Sequence, residues 1–317
     1  MKNLTIKKCD DYDAWDEFIY QSPQHNFFSR SDFFRFSNVK HSLFFLMKNS
    51  EPLIGFPVFV DKKNTPTNIP FSYYQGLSLS SKFEQLKYYR KYSWLRYCYE
   101  NILDFLFERF GGFYLDLHPT IKDIRFLEWF FENNKKVKFN NKVKYTAIIN
   151  INEFNSIEKI RSNYRKDRVQ DLKYAESQNF KIVEECKVND FIKLFEETYE
   201  KNNEKVSDDV LSTIEYFFKD LKNHLNIISI KYKDRVIGSQ LFFCDKYSAH
   251  AIAQVTDLNF MDKGVSSYLT DKLIKIIFKK KIKYLDFNGC NSPNRADFKH
   301  SFGAEPVLFF RVTSVKV

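Results

Sequence analysis

Cysteine is sparse and scattered in this chain. Cys9, Cys98, Cys186, Cys244 and Cys290 are an odd number with no CxxC pair, which argues against both a disulfide framework and a zinc site. The six histidines (His25, His41, His118, His224, His250 and His300) show no metal-ligand spacing, so no metal is expected. Apolar residues never run on for the length of a membrane span, and the opening Met-Lys-Asn-Leu-Thr-Ile-Lys-Lys lacks the apolar core of a signal peptide. A reduced, cytoplasmic location is therefore the expectation. No Walker loop, GxSxG elbow or HExxH pair occurs either.

Aromatic side chains are what the chain has in excess: 35 Phe and 19 Tyr, against 8 Gly and 8 Pro. That ring area can fill two cores and still line a cleft, and 317 residues suit two domains better than one. With 44% hydrophobic and 28% charged residues, the balance is that of a folded protein. The net charge of +10 invites a nucleic-acid reading, but most lysines are interleaved with Asp and Glu. The one dense run, Lys279 to Lys281, closes a predicted helix, where cations complement the dipole. The pattern is that of a solvated surface with room for an anionic ligand such as a nucleotide, coenzyme A or a tRNA end. No stable DNA binding is expected, and the basic and aromatic residues admit peripheral membrane contact.

Periodicity divides the chain into two halves of similar style. The first reads as a helix at 12–20, a helical turn at 31–36, strands at 41–48 and 53–60, and an aromatic loop at 71–76. A long helix at 81–110, a strand at 113–117, a helix at 121–133 and a strand at 144–151 follow. The second reads as a helix at 156–178, a strand at 181–185, and helices at 189–202 and 208–221. A meander over 225–255, a helix at 264–280 and strands at 283–288 and 307–313 complete it. Both halves carry a meander, a long helix and a closing strand, so duplicated domains at 1–153 and 154–317 are expected.

Three constellations carry chemistry. On a continuous helix over 156–178, Arg161, Arg165 and Arg168 share the face of Ile157, Ile160, Tyr164, Leu172 and Ala175. An unpaired buried charge is very costly, so these arginines must either pair with acids or line a wet cleft and bind an anion. Next, Gly264 opens a helix with Ser266 and Ser267 in its first turn, and such an N-terminus offers backbone N–H groups to a phosphate. Finally, the stretch 286–303 ends a strand in Asp286-Phe-Asn-Gly289, enters a loop with Asn291 and Arg295, and sets Lys299 between Phe298 and Phe302. Strand ends and their loops are common ligand-binding positions. Asp116 and His118 share a strand face and are acid–base candidates.

These motifs, in this order, resemble the Fem-type branch of the GNAT acyltransferase superfamily. The resemblance spans nearly the whole chain. It rests on Asp234-Arg-Val-Ile-Gly238, Gly264-Val-Ser-Ser-Tyr-Leu269, Asp286-Phe-Asn-Gly289 and the F-K-x-x-F-G tail Phe298-Lys-His-Ser-Phe-Gly303, with Tyr145-Thr146, the arginine-rich helix and the loop 71–76 upstream. It implies an α+β fold of two tandem GNAT-like domains, each a mixed, mostly antiparallel sheet flanked by helices. It also implies transfer of an acyl or aminoacyl group to an amine, often on a cell-wall or surface-polysaccharide precursor; acyl-CoA as donor and an amino sugar or such a precursor as acceptor are the expectation. The acceptor is expected to be a small molecule or a nucleotide-linked sugar.

Under that reading Lys299, Asp116 and His118 are the catalytic candidates. Tyr73, Tyr74, Arg161, Arg165, Arg168, Asn288, Asn291 and Arg295 are expected to bind substrate. Gln254, Val255, Lys263, Gly264, Val265 and Ser266 are expected to hold the donor, with backbone groups of 252–255 as oxyanion donors. The usual GNAT donor loop has more glycines than Lys263-Gly264-Val265 keeps, so an aminoacyl-tRNA donor stays open. The long coiled-coil insertion of some tRNA-using members is absent, which leans back towards acyl-CoA. The rival from another class is a non-catalytic binding module for RNA or an anionic glycolipid.

Overall fold

The computed structural model describes residues 4–132, 137–201 and 203–316. They form two compact units: Met1–Lys144 with Leu308–Val317, and Tyr145–Val307. The sequence had suggested a junction at 153/154; the observed division falls at 144/145, and the end of the last strand belongs to the first unit.

Unit 1 runs β1 (Leu4–Cys9), α1 (Tyr12–Gln21), α2 (Ser31–Phe34), β2 (Lys40–Lys48), β3 (Glu51–Val60), β4 (Pro66–Thr67), β5 (Ser78–Leu79), α3 (Tyr88–Phe110), β6 (Gly112–Asp116) and α4 (Arg125–Glu132). β1, β2 and β3 form an antiparallel meander, with β4 and β5 both pairing β3. Asp11 caps α1 by accepting from the N–H groups of Asp13 and Ala14. The long helix expected from residue 81 starts only at Tyr88, because Ser80 caps a separate short turn over Ser81–Gln85. α3 ends at Gly111, which takes the left-handed conformation at φ 70°. Phe44, Phe56, Leu103, Leu106 and Phe113 are among the buried residues of this unit's core.

β7 (Val137–Asn150) leads into unit 2, which continues α5 (Ile157–Arg161), α6 (Lys166–Glu176), β8 (Lys181–Val183), α7 (Val188–Glu200), α8 (Asp208–Lys219), β9 (Asn226–Tyr232), β10 (Arg235–Cys244), β11 (Ser248–Thr256), α9 (Val265–Lys279), β12 (Tyr284–Gly289), α10 (Pro293–His300) and β13 (Glu305–Lys316). β8 to β11 are successive antiparallel neighbours, β11 pairs β12 in parallel, and β12 pairs β7 antiparallel. α9 packs on this sheet through Val265, Leu269, Leu273, Ile274 and Ile277, all fully buried. Gly238 makes that packing close: a Cβ there would lie 2.7 Å from Val265 Cγ1. The α+β fold matches the expectation.

Two local expectations change. The helix expected over 156–178 is two helices, because Arg165 turns extended (ψ 146°) and gives its N–H to the Ser301 carbonyl at 2.8 Å. Tyr164 beside it is buried against Phe302, with ring centroids 5.0 Å apart. The residues after β12, expected as loop, hold α10, with Pro293 in its first turn.

Candidate functional site

The sheet of unit 2 splits between β11 and β12. β11 and β12 are paired at only three positions, Ser248↔Tyr284, Ala249↔Leu285 and His250↔Asp286, although β11 continues to Thr256. At the point of divergence Ile252 is an extra residue: Leu241 of β10 faces Ala253, and Phe242 faces Ala251. A bulged residue leaves the ladder locally and re-aims the backbone. Across the split, β12 has its own irregularity between Asp286 and Gly289, where Asn288 takes a φ of 58°. Asn288 Nδ2 donates to the Ala251 carbonyl at 2.7 Å, which fixes the two strands at the mouth of the split. Its Oδ1 is buried without a hydrogen-bond partner.

A buried polar chain supports this turn. Asp286 accepts from Thr146 Oγ1, and its Oδ1 also accepts from the Asn288 N–H at 2.7 Å. His250 stands behind it, with Nε2 2.8 Å from Asp245 Oδ2 and Nδ1 3.7 Å from Asp286 Oδ2. Burial works to lower the His250 pKa, but the two carboxylates outweigh it and carry it up to about 9. In front of the turn, Lys299 from α10 donates to the carbonyls of Asn288 at 3.0 Å and Gly289 at 2.6 Å. Burial brings its ammonium down to about 8, with Asp286 opposing. The arrangement sets a lysine of lowered proton affinity beside two distorted strand ends.

The three arginines do something other than wait for an anion. Arg161 makes a bidentate pair with the fully buried Asp271, at 2.8 and 2.7 Å, and reaches Glu176. Arg165 forks onto Asp167 and Asp297. Arg168 pairs with Asp167 and Asp171, donates to Ser267 Oγ at 2.9 Å, and lies over the Phe298 ring. Of the two outcomes physics allowed, pairing with acids is the one observed. The break at Arg165 also means that the three do not share one continuous helix face.

The candidate donor residues cluster where β11 hands over to α9. Gln254 donates to the Ser266 carbonyl and accepts from Thr270, both at 3.1 Å. Ser266 Oγ lies 2.9 Å from Thr256 Oγ1. Val255 and Val265 are buried in the core, and Lys263 pairs with Asp262. α9 starts with no side-chain cap on its first turn, so its first N–H groups have no side-chain partner there. Gly264 itself has a packing role: at φ 71°, its missing Cβ would lie 2.5 Å from the Asp171 carbonyl oxygen. Further along, Asn291 is tied to the Tyr145 backbone, accepting at 2.8 Å and donating at 2.9 Å. Arg295 is exposed on α10 and makes no ion pair with a described residue.

The remaining candidates lie in unit 1. Asp116, 1% exposed, is clamped by Arg311 through two bonds of 2.7 Å. Burial raises its pKa and Arg311 pulls it back. The two residues are cross-strand partners of β6 and β13, a pairing that sequence spacing does not display. His118 Nδ1 sits 2.9 Å from Thr120 Oγ1, and its ring meets Tyr74 edge-on at 5.3 Å. Tyr73 and Phe28 lie beside them, with Tyr73 6.0 Å from Tyr74 and 5.7 Å from Phe28. Among the described residues, no group of three or more His, Cys, Asp or Glu could hold a metal ion.

Sequence reasoning missed the pairing of Asp245, His250 and Asp286. Its one available signal was His250 in an otherwise apolar strand, a residue type that needs buried partners there.

Neither a protein-family model nor a curated protein sequence matches the chain. Solved structures do. FemX aligns with a TM-score of 0.68 at 9% identity, over 96% of this chain and 96% of that one. A tandem GNAT protein from the clavulanic acid biosynthesis pathway aligns with a TM-score of 0.61 at 7% identity, over 99% and 98%. The C-terminal DUF2156 domain of a putative lysylphosphatidylglycerol synthetase from Agrobacterium fabrum aligns with a TM-score of 0.54 at 9% identity, over 96% and 92%. Aligned over nearly its whole length with a tandem GNAT protein, the chain has the tandem GNAT fold, and FemX is similar to it in structure.

Proposed function

We propose that this protein is a transferase that moves an acyl group from acyl-CoA to an amine, on an amino sugar or another precursor of a surface polysaccharide or cell wall. The observation that carries the reading is the split between β11 and β12, with bulged Ile252 on one side and Lys299 bound to the Asn288–Gly289 turn on the other. The uncapped first turn of α9 fits the phosphates of such a donor. The positive side chains nearby are already paired, so backbone N–H groups rather than side-chain charge would hold the anion.

In this reading the donor carbonyl lies in the split. Backbone N–H groups of 252–255 meet its oxygen as negative charge develops, a stabilisation commonly worth about 3 kcal/mol per donor. The acceptor nitrogen forms the new bond to carbon, the carbon–sulfur bond breaks, and the proton lost by nitrogen ends on the departing sulfur. Lys299, with a pKa of about 8, is suited to carry that proton. Asn288 holds the turn. Asp116 is committed to Arg311 and serves in this reading to hold it.

A thermal-shift series with acetyl-CoA, longer acyl-CoAs, nucleotide amino sugars and aminoacyl-tRNA tests the proposal, followed by product formation from whichever donor stabilises. Stabilisation by acyl-CoA, with transfer lost in Lys299→Ala, is the expected outcome. Stabilisation by aminoacyl-tRNA alone would replace the donor. Binding of RNA or an anionic glycolipid, with no product from any donor, would overturn the catalytic reading.

A further inference from the structure

Unit 1 holds a cavity of about 230 Å³ that the transfer chemistry does not use. Its wall is mainly apolar, with Leu79, Phe83, Leu95, Ile121 and Phe126, and carries the paired polar side chains Gln24 and Thr120. Tyr99 also lines it: the residue is 2% exposed, and its hydroxyl makes no hydrogen bond to a described residue. The exposed lining residues are Tyr88, Lys122, Glu84 and Thr120, and Lys91 is half-buried. A dry cavity of about 150 Å³ is enough for benzene, so this one takes a ring or a few methylenes.

The lip of the cavity is the start of α3, and its sequence works against the helix. Lys87 is the N-cap residue and makes no side-chain cap bond, and the first turn contains no acid. Arg90 and Lys91 follow at once, although cations at a helix N-terminus oppose its dipole. Lys87, Arg90, Lys91 and Lys122 form no ion pair with a described residue, and Arg90 contacts only the neighbouring Tyr89 ring and hydroxyl. Tyr88 and Tyr89 stand out beside them at 72% and 60% exposure. The nearest acids are Glu84, a single opposing charge, and Asp123, which Arg125 occupies.

Unpaired cations, two projecting tyrosines and an apolar hole at one spot call for an occupant that is anionic outside and apolar inside. We propose that this face of unit 1 docks on an anionic lipid bilayer, with Lys87, Arg90, Lys91 and Lys122 at the headgroups and the cavity receiving the end of one acyl chain. Tyrosine is favoured at the level of the headgroups, and basic residues near an anionic surface each add to the attraction. RNA would meet the same cations, but bases stack on exposed ring faces and leave the apolar wall unused. Among the described residues no helix is long and apolar enough to cross a membrane, so the contact is peripheral.

Co-sedimentation of the full chain with phosphatidylcholine vesicles, with and without phosphatidylglycerol, tests this. Binding should require phosphatidylglycerol and weaken with salt. It should fall about tenfold or more in Lys87→Glu/Arg90→Glu, a double variant whose new acids suit the helix start, so its circular dichroism should match wild type. Leu95→Trp, which fills the cavity and leaves the charges, should weaken binding further than salt-matched wild type. Transfer to a soluble amine, assayed in the same variants, should be unchanged, which separates failure here from failure of the transferase reading. Equal binding to neutral vesicles, or full binding by the double variant, overturns the proposal. So does tRNA binding lost in the double variant without vesicle binding, or capture of soluble decyl phosphate without vesicle binding.

Discussion

His250 Nε2 lies 2.8 Å from Asp245 Oδ2, and both residues are buried. The other ring nitrogen faces Asp286, whose second oxygen holds the amide of Asn288. His250 thus stands, through one carboxylate, behind the turn whose carbonyls accept from Lys299.

The His250 proton makes a directional prediction. Its affinity in the folded state is raised from 6.5 to about 9, so the stabilisation is whole below 6.5 and is lost as pH rises through about 9. The urea midpoint of wild type should therefore fall across that interval relative to His250→Gln. Parallel curves for the two proteins would show that the imidazole is neutral in the fold.

Lys299 predicts the opposite slope. Its proton affinity is lowered from 10.5 to about 8, so the unfolded chain binds more protons between those values and stability rises with pH there. Lys299→Met should remove that rise, keep the fold at pH 7, and cut transfer by about a hundredfold. Retained turnover in the folded variant would remove Lys299 from the site.

Gly264→Ala is expected to be among the costly single changes. The φ of 71° is strained for any side chain, and the new Cβ would lie 2.5 Å from a backbone oxygen of α6. A loss of about 2 kcal/mol or more in equilibrium unfolding follows. A near-neutral result would mean that α6 can move away from α9.

The arginines should separate by the burial of their partners. Arg161→Met leaves Asp271, which is fully buried, with Lys275 at 3.1 Å as its remaining cation, and should cost about 3 kcal/mol of stability. Arg165→Ala breaks pairs with two exposed acids and should leave the unfolding midpoint close to wild type. Equal losses in the two variants would contradict the pairing described here.

Much of this was legible along the chain. The meander, the helix after Gly264 and the strand ending in Asp286-Phe-Asn-Gly289 follow from local pattern, because periodicity and turn chemistry act over a few residues. The arginine face was legible only as a choice between acids and an anion. Asp271 and Asp297 lie far from Arg161 and Arg165 in sequence, so folding alone could make that choice. The continuous helix over 156–178 failed for a similar reason, since the bond that breaks it comes from Ser301.

The sequence by itself determined most of the elements and the α+β class. Tertiary structure decided which charges are spent on one another: Asp116 on Arg311, Arg161 on Asp271, and His250 on Asp245 and Asp286. A charge stays buried only where a partner meets it. Strand register, the helix break and the return of the last strand decide which partners meet, and none of these is a local property of the chain.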